Sequence, residues 1–136
     1  MNDNTLKQLC HRHFNEMCDR LSTIRGLRQR DERSIVNLAL SQQAPFFYVS
    51  PRYATQRVYE LNRNYAGTLA RMRRQARCMW ADLYRLVMRE VHRSGLSYSD
   101  AVDKVLREHR APRFYMELDT ALLIRRRERT KRRRRL

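Results

Sequence analysis

The sequence predicts an all-α, internally duplicated helical domain, and three observations carry that expectation. Ala44-Pro45-Phe46-Phe47-Tyr48-Val49 returns 67 positions later as Ala111-Pro112-Arg113-Phe114-Tyr115-Met116. Only three Gly and three Pro occur in 136 residues, and the good helix formers Ala, Leu, Arg, Met, Gln and Glu dominate. Apolar residues recur three and four apart through most of the chain, the period of one helix face. A unit used twice is more often a binding device than a catalytic one.

The elements follow in order. The first helix is expected to open after a cap within residues 2–4 and run to about Ile24. Its buried face would hold Leu6, Leu9, Cys10, Phe14, Met17, Leu21 and Ile24, and Gly26 would end it. A short second helix carries Ile35, Leu38 and Ala39 and stops before Pro45, because the residue ahead of a proline is driven toward extended backbone. Phe46 to Val49 reads as an extended joint. Ser50-Pro51 is a cap followed by proline at the first helical position, so a third helix should run from Pro51 to about Tyr65. Gly67 is the expected break between repeats. A fourth helix over 68–93 is apolar around most of its circumference near Trp80 and Leu83, which marks a central spine. Ser97 or Ser99 caps a fifth helix through Val102 and Val105, Pro112 stops it, and a sixth starts near Asp119 and runs into a basic end.

The resulting domain, residues 1–124, comprises two three-helix, helix-turn-helix-like units, about 1–66 and 67–124, joined by the long central helix. Residues 125–136 form an arginine-rich tail. The same 67-residue offset pairs Ile35 with Val102, Leu38 with Val105 and Ala54 with Ala121. Further back it sets Met17, Leu21 and Ile24 against Tyr84, Met88 and Val91. An alternative architecture pairs the two AP-x-FY segments as a minimal two-stranded ribbon that would enter a major groove.

Charge points to the partner. Thirty Lys and Arg stand against 14 Asp and Glu, a net +16, which calls for a polyanion. The tail RRRERTKRRRRL holds nine basic residues and one acid, half of that net charge, so the body is basic without it. Duplex DNA is the expected partner, held mainly through its phosphates. The tail supplies Arg125, Arg126, Arg127, Arg129, Lys131, Arg132, Arg133, Arg134 and Arg135, expected to be frayed alone and ordered on binding. Arg71 and Arg74, with Arg85 and Arg89, would form a second basic face on the fourth helix, while Arg52 and Arg57, with Tyr53 and Gln56, are placed to read bases. Arg113, in the second joint, is a further candidate for nucleic-acid contact. Phe47 and Phe114 are expected in the core, with Tyr48 and Arg113 nearer the surface.

Other classes fit less well. Four scattered histidines, no glycine-rich phosphate loop and no grouped carboxylates argue against an enzyme, a cofactor or a small-molecule substrate. Cys10, His11, His13 and Cys18 crowd together, but buried thiols on an apolar stripe explain them better than zinc. Three cysteines without a CxxC pair suit a reducing compartment. No run of about 20 apolar residues is present that could span a membrane, and a cytoplasmic location is expected, nucleoid-associated if the protein is bacterial. The competing expectation is a structural or assembly protein, or an RNA-binding one, whose basic surface packs on nucleic acid or an acidic partner.

The segment APFFYVSPRYATQRV resembles a motif of short, basic bacterial proteins in which Ala-Pro-x-Phe-Tyr and a following Ser precede a helix. The resemblance covers about 15 residues per repeat, and the second copy departs from it with Glu117-Leu118 in place of Ser50-Pro51. It implies a bacterial helical protein and carries over no activity.

Overall fold

The computed structural model describes residues 2–24, 26–27 and 30–136. Among these the chain is all-helical: α1 (Asp3–Ser22), α2 (Glu32–Leu40), α3 (Pro51–Arg63), α4 (Tyr65–Ala70), α5 (Arg74–Ser94), α6 (Tyr98–Glu108) and α7 (Leu118–Arg135). Side-chain caps start most of them, each accepting an N–H that the first turn leaves without a partner. Asp31 accepts from Ser34 and opens α2, Ser50 accepts from Tyr53 ahead of Pro51, and Ser97 accepts from Asp100. Gly95 closes α5 at φ 64°, a left-handed turn that a side chain would resist.

Two compact units divide the chain, and they do not follow the expected boundary near residue 66. The central unit gathers Phe46–Arg110 with the start of the chain up to Leu6, and the terminal unit gathers Lys7–Pro45 with Ala111–Leu136. In the central unit α6 packs against both α3 and α5. Its buried residues include Val58 and Leu61 of α3, Trp80, Leu83 and Val87 of α5, and Val102 and Val105 of α6. In the terminal unit α2 packs along α7, and Phe14, Cys18, Leu21, Ile35, Val36, Phe114 and Ile124 are buried. Phe14 meets Phe114 edge to face at 5.4 Å. Burying such an aromatic or aliphatic side chain contributes about 1.5–3 kcal/mol.

Each long-helix, short-helix, joint, helix pattern is thus completed by the other. The third helix of the first pattern, α3, packs on the short helix of the second, and α7 packs on α2. The expected two-stranded ribbon reduces to one antiparallel bridge at the first residue of each segment, where the Ala44 N–H donates to the Ala111 carbonyl at 2.9 Å. Both joints then fold alike. Val49 N–H reaches Phe47 O and Met116 N–H reaches Phe114 O, turns that remove these segments from any ladder. Phe47 and Phe114 are buried, as expected, whereas Phe46 is 43% exposed.

Other differences have local causes. Ile24, expected in the core, is 45% exposed because α1 ends two residues earlier. The α1–α5 register also shifts: Phe14, Cys18 and Leu21 are buried on α1, and Leu83, Val87 and Glu90, with the same spacing, on α5. That is two residues beyond the 67-residue offset, so Leu21 and Ile24 do not match Met88 and Val91 in burial.

The continuous fourth helix is two helices. The chain breaks at Asn64, whose backbone leaves the helical region, and again at 71–73. Gly67 lies inside α4 and donates its N–H to Asn64 Oδ1 at 3.1 Å. A Cβ at residue 67 would run into the Asn64 side chain, so the glycine admits the cap. Asn64→Ala is expected to cost about 1 kcal/mol. Gly67→Ala loses the same cap but gains about 1 kcal/mol of helix propensity, so it should be near neutral, and adding Asn64→Ala to it should change little. Urea unfolding followed by Trp80 fluorescence, within the same unit, reads this cycle.

Candidate nucleic-acid interface

Helix α7 crosses the expected boundary at residue 124 without a break and stays helical through Arg135. Its first turns are anchored by the buried Ala121 and Ile124. Beyond them the 3.6-residue period sorts the basic residues into two sets.

The inner set is Arg125, Arg129 and Arg132. The Arg125 side chain is only 11% exposed. Its Nη1 donates to Asn15 Oδ1 at 3.0 Å, and its Nη2 donates to Asp19 Oδ1 at 3.0 Å. Nε lies 3.9 Å from Glu32 Oε1, beyond hydrogen-bond reach. Arg129 pairs with the other Glu32 oxygen at 2.5 Å. Arg132 meets Asp19 Oδ2 at 2.7 Å and Glu128 Oε1 at 3.3 Å. Three guanidinium groups are therefore balanced by three carboxylates. Desolvation pulls Asp19 upward, but the hydrogen bonds from Arg132 and Arg125 outweigh it and hold the carboxyl below its ordinary range.

The outer set is Arg126, Arg127, Lys131, Arg133, Arg134 and Arg135, all exposed and, among the described residues, none within 4 Å of a carboxylate. Like charges so close on one helix repel each other. The inner ion pairs and the apolar anchor hold the helix against that repulsion, and this replaces the expected frayed tail with a formed rod. Arg125 is corrected from a phosphate anchor to a structural residue, and Arg129 and Arg132 are compensated within the fold.

A groove of 430 Å³ runs between α1 and α7, with His11 facing Lys131 and Arg135 across it. Burial, then the charges of Lys7, Arg127 and Lys131, lower the His11 pKa below the ordinary imidazole value. A lowered histidine binds fewer protons folded than unfolded, so acidification through the unfolded pKa near 6.5 should cost stability. Phosphates laid on α7 would cancel part of the repulsion. Duplex DNA is therefore expected to raise the His11 pKa, read from the imidazole proton shifts in an NMR pH titration with and without DNA.

The remaining expected site residues are dispersed. Arg57 donates to Tyr53 OH at 2.6 Å, pairs with Glu60 at 3.0 Å and lies over the Tyr53 and Trp80 rings at 5.3 and 5.7 Å. It is engaged within its own unit and is not presented for base reading. Arg52 is exposed and lines a shallow cleft with Gln56, Tyr59, Ser99 and Asp103. Arg113 is half-buried with its guanidinium over the Tyr115 ring at 5.3 Å. Arg71 ends α4 and Arg74 begins α5, so they do not share the single helix face that was expected.

Asn15, Asp19 and Glu32, the partners of the inner arginines, are what sequence reasoning missed. Only the Glu128–Arg132 pair, at i and i+4, was legible locally. Burial pushes the Cys10 thiol up to about 12 and the Cys18 thiol up to about 11, so both stay protonated near neutrality, and no group of three potential metal ligands gathers among the described residues. No described helix is long and apolar enough to cross a membrane. No protein-family model matches the chain, and no curated protein or solved structure matches it.

Proposed function

We propose that this protein binds duplex DNA through the outer face of α7, mainly by phosphate contacts and with little sequence preference, as an architectural, nucleoid-associated protein. One observation carries the reading: on a single formed helix the inner arginines are neutralised by Asp19, Glu32 and Glu128, while Arg126, Arg127, Lys131, Arg133 and Arg134 project without a counter-ion. From Arg126 to Arg134 the helix rises about 12 Å, comparable to the width of a major groove at about 12 Å. Guanidinium groups suit phosphate because their planar donors can engage two oxygens at once.

The reading supposes no catalysis. Base discrimination has weak support, because Arg57 and Tyr53 are turned to Trp80. Fluorescence anisotropy of labelled duplex DNA, single-stranded DNA and duplex RNA over a salt series tests it. Steeply salt-dependent binding to unrelated duplexes with similar affinity is expected. Absence of binding at moderate salt would move the search to an acidic protein partner. Truncation after Ile124 is a poor control, because it also removes Arg125 and its ties to α1 and α2.

A further inference from the structure

We propose that the cleft between α3 and α4 is a binding site for a phosphomonoester, a terminal phosphate rather than the interior of a backbone. The cleft has a volume of 570 Å³ and lies within the central unit, a size typical of small-ligand sites. Arg57, Arg63 and Arg71 line it with a single carboxylate, Glu60. Glu60 is already held by Arg57 at 3.0 Å, so Arg63 and Arg71, exposed and with no carboxylate within 4 Å among the described residues, leave the cleft with two uncompensated positive charges. A phosphomonoester carries about −1.5 to −2 near neutral pH, whereas each phosphodiester carries a single charge. Charge matching therefore favours the terminal group.

Part of the wall is held in place by contacts within the unit. Arg57 is set by Tyr53 OH and the Trp80 ring. Asn64 Oδ1 is engaged in capping Gly67, which turns the amide so that its NH2 end is left as a donor. Thr68 is tied to the Glu60 carbonyl at 3.4 Å. Arg63 and Arg71 sit at the ends of two successive helices, one at the last residue of α3 and one just past α4. Two guanidinium forks approaching from separate backbones can share the several oxygens of one phosphate.

Two sources offer this chemistry: a free mononucleotide-like metabolite and the 5′-phosphorylated end of a nucleic-acid strand. The site does not depend on the reading of α7. The test uses the full chain and follows the arginine Nε–Hε NMR signals during titration with inorganic phosphate, AMP, and one short oligonucleotide in 5′-phosphorylated and 5′-hydroxyl forms. Saturable shifts at Arg63 and Arg71 are expected. In the Arg63→Gln/Arg71→Gln variant the monoester affinity should drop by at least about tenfold, since two charge-assisted partners are lost. A variant neutralised on the outer face of α7 should keep it.

If AMP and phosphate suffice, the ligand is a small phosphorylated molecule; if only the 5′-phosphorylated strand shifts both signals, it is a strand end. Indifference to the 5′-phosphate together with no response to AMP or phosphate would overturn the proposal. So would a double variant with unchanged affinity. Because both arginines are exposed, unaltered Trp80 emission serves as the check that the variant is folded.

Discussion

Arg125→Ala is expected to destabilise the terminal unit by about 2–3 kcal/mol. Removing one partner of a buried ion pair typically costs about 3–5 kcal/mol. The lower figure applies because Asp19 keeps Arg132 and Glu32 keeps Arg129, and because both carboxylates are partly exposed, where water screens them. The buried Asn15 side chain would lose its donor, which accounts for much of the remaining cost. Arg125→Lys should fall between the two, since an ammonium on a flexible stem cannot reproduce a fork that engages Asn15 and Asp19 together. Trp80 is the only tryptophan and lies in the central unit, so its fluorescence is the wrong probe. Amide hydrogen exchange in α1, α2 and α7 reads the effect. Wild-type protection in all three helices would remove the ion pairs from the account of why α7 forms.

Replacing Arg126, Arg127, Lys131, Arg133 and Arg134 together by glutamine should abolish most duplex binding while leaving the fold intact. Glutamine is nearly as good a helix former as arginine, and none of the five forms an ion pair among the described residues. If each makes one phosphate contact, they contribute about 4–5 to the slope of log affinity against log salt, or roughly 500-fold between 50 and 200 mM. The variant should lose that slope along with the affinity, and its hydrogen-exchange pattern should not change. Binding with an undiminished slope would place the interface elsewhere on the molecule. Removing like charges from one helix should, if anything, stabilise it, so loss of binding could not be ascribed to unfolding.

Local chemistry was legible in the sequence and long-range exchange was not. Ser50-Pro51 and Ser97 start their helices as expected, because a cap requires only the next few residues. The 67-residue offset correctly matches Ala44 with Ala111, Phe47 with Phe114 and Ala54 with Ala121 in burial. It cannot reveal that α3 completes a unit with α6, since either partner would bury the same apolar stripe. The same offset sets the buried Val58 against Arg125. Within a run of arginines nothing distinguished the one turned inward, because its partners Asn15 and Asp19 lie more than 100 residues away. The break at Asn64 escaped for a related reason. Gly67 is the usual sign of an interrupted helix, but here it makes room for the cap that restarts one.

The division of the chain into these two units also sets an order of events during synthesis. Residues 46–110 leave the ribosome as one uninterrupted run that carries all of α3 to α6. Helices α1 and α2 emerge earlier but lack α7, and at about 5–20 residues per second they wait several seconds for it. A chain cut short before α7 would expose the apolar side of α2 and carry no cationic rod.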